Sequence, residues 1–402
     1  MRSSSTFFHI TRSRRGGASR IVRRLIRTEA VVLTSYPRVS DDVDLTNFER
    51  REIILPDTLP HGHVELETLY LSVDPYMRCR FGPEHPQLGE YLDPFQLLSP
   101  VAGGGVGRVV RSTHSNFRVG DFACLPFDDY PWQRRVHIDV DKYTRSDGWG
   151  LAKIDWHASA CQVELALALG TLGMPGLTSY CGMLEAAKPC EGETVVISGA
   201  AGACGTLAGQ LARMSNARVV GICGSDEKCD FLKRKLGFDS AINYKSPSFL
   251  RSLNEACADG VDCYFDNVGG FVSEAVLRLV NTNARIPVCG QIASYSEEVA
   301  YTTLVSAEGI PPDVASELEA KRANRFRYLV LDHSARFPTA LKKLRDWTAS
   351  GALRSVATVT RGFRPAEAFI SMMSGGNIGK AIVEVCGRDE EGEYLWISAP
   401  PP

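Results

Sequence analysis

The sequence predicts an α/β fold, a doubly wound parallel sheet joined to a second, β-rich domain, on three observations. After Glu193, strand-like apolar runs alternate with helical stretches at the spacing of β-α units. Between Ala30 and Asp155 the apolar runs are short and punctuated by Gly and Pro, as in strands. At the junction, an apolar strand over 194–197 runs into a glycine-rich turn and then an amphipathic helix. A chain of 402 residues, 44% of them hydrophobic, is long enough for two cores.

In the β-rich half the strand-like runs are 31–33, 53–55, 63–72, 105–110 and 136–138. The α/β half reads as strand 194–197, a helix to Met214, strand 218–223, a helix to Leu236, strand 241–244, a helix over 249–257, strand 261–266, a helix over 272–280 and strand 286–289. Beyond Ser296 a proline-containing connection leads to helical stretches near 318–326 and 340–347, then to strand-like 355–359 and 381–385. The last of these is expected to return to the first domain. The division is therefore 29–155 completed by 330–387 for the β-rich domain and 156–329 for the parallel sheet. A loose acidic tail over 388–402 and an extension over 1–28 flank them.

Forty-five basic against forty-seven acidic side chains give a formal charge of −2, so no global field draws the chain to nucleic acid or an anionic bilayer. Twelve scattered cysteines without a C-x-x-C pair read as reduced thiols. The uncharged run 165–184 reaches bilayer-spanning length, yet it contains Gly170, Gly173, Pro175, Gly176 and Gly182. It reads as a buried segment joining the domains, with no stable membrane insertion. Eight arginines and no acid precede Glu29, the composition of a mitochondrial transit peptide, of a disordered basic arm, or of residues upstream of the true start.

The segment Ser198-Gly199-Ala200-Ala201-Gly202-Ala203-Cys204-Gly205 matches A-x-G-x-x-G, with Ala200 in the first position and Gly202 and Gly205 in the others. Small residues there let the backbone turn sharply against a pyrophosphate, which the helix N-terminus attracts through its N–H groups and dipole. The next strand ends Ile222-Cys223-Gly224-Ser225, without the Asp or Glu that holds the ribose hydroxyls of NAD. Lys228, one turn on, offers a cation to a 2′-phosphate, so NADPH is preferred over NADH. Cys204 sits where a thiol can become acidic, but a small packing residue is the simpler reading.

The segments LYLSVDPYMRCR, GMPGLTSY, VVISGAAGACG, VVGICGSDEKC, LGFDSAINYK, VDCYFDNVGG, CGQIASY and MMSGGNIGK resemble the zinc-independent medium-chain reductases that reduce prostaglandin and leukotriene enones. The resemblance runs from about Arg27 to Val385. It implies a GroES-like catalytic domain around a Rossmann domain, with substrate entering between them, in a cytoplasmic monomer or homodimer. It further implies that Gly202, Ala203, Cys204 and Gly205 face the pyrophosphate and that Lys228 and Tyr244 hold the 2′-phosphate. Asn267, the loop Cys289, Gly290, Gln291, Ile292, Ala293, Ser294 and Tyr295, and Asn377 would contact the rest of NADPH. Tyr91 and Tyr295 fall at two pocket tyrosines with catalytic and substrate-binding roles, and Tyr328 and Leu329 at the wall of a hydrophobic channel. The segment LPFDDYPW departs from the family, leaving Phe127 and Tyr130 without assigned contacts. The implied partner is a lipid enone such as a 15-oxoprostaglandin.

Zinc relatives of this superfamily need a Cys with a His or acid for the catalytic metal and a four-cysteine lobe for the structural one. Where the first ligand would fall this chain reads Ser72-Val73-Asp74-Pro75-Tyr76, and His61 and His63 lack a third ligand. A conjugated enone suits such a site better than an isolated carbonyl, because hydride added at the β-carbon sends charge to oxygen. A tyrosine hydroxyl, with Tyr295 the candidate, would meet that charge. A quinone or alkenal reductase and an NADPH-binding protein without turnover are the competing readings.

Overall fold

The computed structural model describes residues 25–86, 92–143, 150–154, 165–385 and 393–396. In the β-rich half, β1 (Ile26–Leu33) pairs antiparallel with β2 (Phe48–Leu55). The strands β3 (His63–Ser72), β4 (Ala102–Ser112), β5 (Phe122–Pro131), β6 (Arg135–Asp139) and β7 (Ala152–Lys153) follow. β3 is buried almost throughout, its polar residues included, because both of its faces are covered. Val64, Leu66 and Leu71 enter one core with Trp132 and Phe369, while Leu69 and Tyr70 enter another with Leu165–Leu169. β5 is absent from the sequence expectation because Pro126, Asp128, Asp129 and Pro131 interrupt its alternation. Pairing with β4 supplies what propensity does not, and the register slips between Gly103 and Gly105, where the Tyr130 ring lies against Gly105.

The run 165–184 is buried, as its composition requires. It forms α1 (Met174–Tyr180), which continues into a π-helical turn Cys181–Ala187. No described helix is long and apolar enough to cross a membrane. Then come β8 (Thr194–Ser198), α2 (Ala203–Met214), β9 (Arg218–Cys223), α3 (Asp226–Leu236), β10 (Ser240–Asn243), α4 (Phe249–Ala256), β11 (Val261–Phe265), α5 (Gly270–Leu277) and β12 (Val280–Val288). They are followed by α6 (Tyr301–Val305), α7 (Pro312–Ala320), β13 (Asn324–Arg327), α8 (Phe337–Ala349), β14 (Val356–Arg361), α9 (Pro365–Met373), β15 (Lys380–Glu384) and β16 (Glu393–Trp396). The parallel sheet runs β10-β9-β8-β11-β12-β13. The chain winds outward one way from β8 and the other way from β11, so a crevice opens above their carboxyl ends.

The structure corrects the sequence expectations in four places. The helix expected near 318–326 starts earlier, with Pro312 in its first turn, and ends at Ala320; Asn324–Arg327 is instead a sixth parallel strand. Its sequence, NRFR, shows no periodicity, so the pairing with β12 decides it. Residues 330–353 do not join the β-rich domain: Val330, Phe337, Ala340, Leu344 and Leu353 pack with Tyr180 and Leu211 on the parallel-sheet side, and the return begins at β14. Ile26–Thr28, placed with the N-terminal extension, belong to β1 because β2 pairs them. In the tail, Glu393–Trp396 add antiparallel to β14, whose free edge offers hydrogen bonds to any strand of suitable length.

The second sheet runs β16-β14-β15-β3-β4-β5-β7, with β6 on β3, so the C-terminal strands complete the N-terminal domain. The two domains meet where the Gly379 N–H donates to the Ala201 carbonyl at 2.8 Å. One residue on, the Lys380 ammonium is buried against the Asp74 carboxylate at 2.7 Å and the Val73 carbonyl at 2.7 Å. Asp74 also accepts from the Ser72 hydroxyl. Removing one ion of such a pair strands the other in a dry site. Lys380→Met is expected to cost about 3–5 kcal/mol in urea unfolding, and Asp74→Leu added to it to recover part of that loss.

Candidate active site

The turn after β8 is shaped by backbone meeting backbone. Gly199 adopts φ +57°, a left-handed conformation, so the sharp turn falls on Gly199 rather than on Ala200, the first residue of the sequence match. A side chain on Gly205 would lie 2.6 Å from Ala200 Cα, so α2 packs directly on the strand end. Gly202 caps α2 with extended backbone and no side-chain bond. The first N–H groups of the helix are thereby aimed at the crevice, the arrangement that receives an anion.

The adjoining strand end is fixed by the buried Asp266. Its carboxylate accepts from Ser198 Oγ at 2.9 Å, Tyr264 OH at 2.8 Å, Ser273 Oγ at 2.8 Å, and the N–H groups of Val268 and Gly269 at 3.0 Å each. Asn267 is held beside it, its amide donating to the Ser198 carbonyl at 2.7 Å. Five donors on one carboxylate offset its burial and set the path of the β11–α5 loop.

A cleft of about 830 Å³ runs between the domains past this turn. Among the residues singled out in the sequence, Gly202, Ala203, Cys204, Gly205, Lys228, Tyr244, Asn267, Cys289, Gly290, Ile292, Ala293, Tyr295, Tyr328, Leu329 and Asn377 line it. Gln291 and Ser294 do not; both are buried behind the loop, where the Gln291 amide backs the left-handed Gly269. Tyr91 lies outside the described residues.

One end of the cleft is cationic. Ser225 caps α3 by accepting the Lys228 N–H at 3.2 Å, and the Lys228 ammonium donates to the Gly375 carbonyl at 2.7 Å. Partial burial pulls the Lys228 ammonium below the ordinary lysine range, and the neighbouring Lys245 adds to that pull. Lys245 lies over the Tyr244 ring at 5.8 Å, and both line the cleft with Ser225. Two ammonium groups drawn together with hydroxyls beside them make a site for a multiply charged anion. Lys245 was not singled out in the sequence, although its place just after a strand end, next to Tyr244, is a signal that could have found it.

The other end is apolar and aromatic. Tyr76 and Phe127 stack with ring centroids 5.2 Å apart, and Leu92, Met174 and Met373 also line this cleft. The two aromatics of the divergent LPFDDYPW segment thus separate: Phe127 faces the cleft, while Tyr130 is in the core with its hydroxyl 3.0 Å from Thr68 Oγ1. Tyr295 follows the short turn Ile292–Ser294; its carbonyl lies 3.0 Å from His85 Nε2, and its ring reaches toward Gly290. Tyr328 uses its hydroxyl structurally, donating to the Thr178 carbonyl at 2.8 Å, and burial pushes that phenol well above its ordinary value. Its hydroxyl is thereby committed to the wall. Asp74 and Lys380 lie at the floor; their pairing across some three hundred residues leaves no local signal in the sequence. No group of three or more His, Cys, Asp or Glu able to hold a metal ion occurs among the described residues.

Residues 30–145 match the family described as the N-terminal domain of oxidoreductase, and residues 203–309 the one described as zinc-binding dehydrogenase. The NADPH-dependent curcumin reductase of Escherichia coli (strain K12) is 34% identical over 364 residues, 90% of this chain and 98% of that protein. Prostaglandin reductase 1 of Mus musculus is 39% identical over 347 residues, 84% of this chain and 94% of that protein. The crystal structure of CurA in complex with NADPH from Vibrio vulnificus superposes with a TM-score of 0.77 at 32% identity, covering 90% of this chain and 100% of that one. With a parallel nucleotide-type sheet, a β-rich partner domain and relatives matched along nearly their whole length, this chain belongs to the zinc-independent medium-chain dehydrogenase/reductase family of oxidoreductases.

Proposed function

We propose that the chain is an NADPH-dependent reductase of the carbon–carbon double bond of α,β-unsaturated ketones, and that it takes 15-oxoprostaglandins to their 13,14-dihydro products. The observation that carries this reading is a single cleft with a helix N-terminus and two lysines along one stretch and an apolar aromatic wall along the other. The two relatives named for reduction of curcumin and for prostaglandins support the substrate class.

The residues fit NADPH. Gly202, Ala203, Cys204 and Gly205 leave the backbone open to a pyrophosphate, while Lys228, Tyr244 and Lys245 take the 2′-phosphate. Asn267, Cys289, Gly290, Ile292, Ala293 and Asn377 line the path between the two ends. When bound, NADPH supplies a hydride to the β-carbon of the enone. Tyr76 and Phe127 would flank the lipid chain and exclude water, and Tyr328 and Leu329 would hold it from the side. The Tyr295 hydroxyl donates a hydrogen bond to the ketone oxygen as negative charge gathers there, a proton from solvent then adds at the α-carbon, and Tyr91 is assigned to the same pocket by resemblance. Cytoplasmic residence fits the same resemblance, with the matrix as the site if the arginine-rich extension directs import.

The primary test follows NADPH absorbance with purified protein and a 15-oxoprostaglandin, with the saturated ketone and a simple quinone as controls. Oxidation is expected with the enone alone. Oxidation with the quinone alone would assign a quinone reductase, and none with either, despite thermal stabilisation by NADPH, would leave a binding protein. Lys228→Ala is expected to raise KM for NADPH about tenfold or more and to leave NADH kinetics nearly unchanged. Tyr295→Phe is expected to lower kcat about a hundredfold at saturating NADPH; unchanged turnover would remove Tyr295 from the chemistry.

A further inference from the structure

Ten described cysteines are unpaired thiols, and most are isolated in cores where burial raises them, as at Cys79, Cys124 and Cys263, each pushed up to about 12. Cys223 and Cys229 are also buried, but they are neighbours, as Cys204 and Cys289 are. Cys223 is the last residue of β9 and lines the cleft; Cys229 lies in the first turn of α3; their sulfur atoms are 3.3 Å apart. The chain between them contains the α3 cap Ser225 and the phosphate-end cation Lys228.

We propose that Cys223 and Cys229 are a dithiol site for a peroxide oxidant, and that the disulfide they form closes the 2′-phosphate end of the cleft. This rests on the reading of Lys228 as a phosphate ligand. The hydrogen bond between the two sulfurs lowers Cys229 relative to an ordinary thiol and raises Cys223, so Cys229 is the nucleophile and Cys223 the resolving group. The Cys229 sulfur attacks one peroxide oxygen; the O–O bond breaks, leaving a sulfenic acid and one water. The Cys223 sulfur then attacks the sulfenic sulfur, the S–O bond breaks, and a second water leaves. Two thiols and one hydrogen peroxide give one disulfide and two waters, and a dithiol reductant reverses it.

The consequence is geometric. A disulfide needs its sulfur atoms about 2.0 Å apart, so the first turn of α3 must be drawn toward β9 by roughly 1 Å. Gly224, next to Cys223, is a place where the backbone can yield. Lys228 rides on that turn, and its 2.7 Å bond to the Gly375 carbonyl is what aims the ammonium into the cleft. Drawing the turn in mis-aims it. Because Cys223 lines the cleft, a bound dinucleotide also covers the route by which peroxide reaches the pair.

The test uses the full chain, reduced and then treated with hydrogen peroxide with and without saturating NADPH. Non-reducing peptide mapping reads the cross-link, and intrinsic fluorescence titration reads NADPH affinity. A peptide linking Cys223 to Cys229, a loss of NADPH affinity of about tenfold, recovery with dithiothreitol and protection by NADPH are expected; Cys229→Ala should show neither the cross-link nor the loss. Absence of the linked peptide in the wild-type chain overturns the proposal. So does a linked peptide with unchanged NADPH affinity. The underlying reading is checked apart, in the reduced chain: if Lys228→Ala weakens NADPH and NADH equally, the phosphate assignment fails, whatever the peptide map shows.

Discussion

Everything functional in this chain is arranged around the close passage of three backbones at the turn after β8. Gly199 turns in a left-handed conformation, Gly205 brings α2 against Ala200, and Gly379 arrives from the other domain to donate to Ala201. A side chain on Gly379 would run into the Val356 carbonyl, so glycine is as necessary there as in the turn itself. The contact does two things at once. It presents the helix N-terminus of one domain to the cleft, and it fixes the other domain at hydrogen-bond distance from it. The cleft residues around Asp74 and at the start of β15 are thereby held in register with the turn between β8 and α2.

The buried charges follow from that arrangement. Asp74 and Lys380 neutralise each other directly below the junction, in positions where both would be costly alone. Asp266, with no ion pair among the described residues, is satisfied by five donors from β8, β11, the loop that follows it and the start of α5. Lys228 is the exception: it is partly desolvated and bonded to a neutral carbonyl, with a second lysine nearby. Such a charge is better matched by an incoming anion than by the neutral carbonyl it meets.

The apolar end is less rigidly specified. Its aromatic pair, Tyr76 and Phe127, comes from a short 3-10 turn and from a strand whose sequence is interrupted by prolines and acids. Pocket shape there depends on how β5 bulges against β4, a local irregularity that small changes of sequence would move. Fold and cofactor geometry can thus stay fixed while substrate choice varies.

The α/β class, the glycine turn, the missing acid after β9 and the presence of Lys228 can be read along the chain, because each depends on neighbours within one β-α unit. Five of the six parallel strands were legible for the same reason: each is a short, mostly apolar run set between helical stretches. Tertiary structure decided what local pattern cannot encode. β13 and β5 exist because β12 and β4 offer them partners, and α8 belongs to the nucleotide side because Phe337, Ala340 and Leu344 find their core there. The Asp74–Lys380 pair, the separation of Phe127 from Tyr130 and the nearness of Cys223 to Cys229 are likewise matters of distance in space. Such distances are set by packing, in which each side chain's place depends on residues far along the chain.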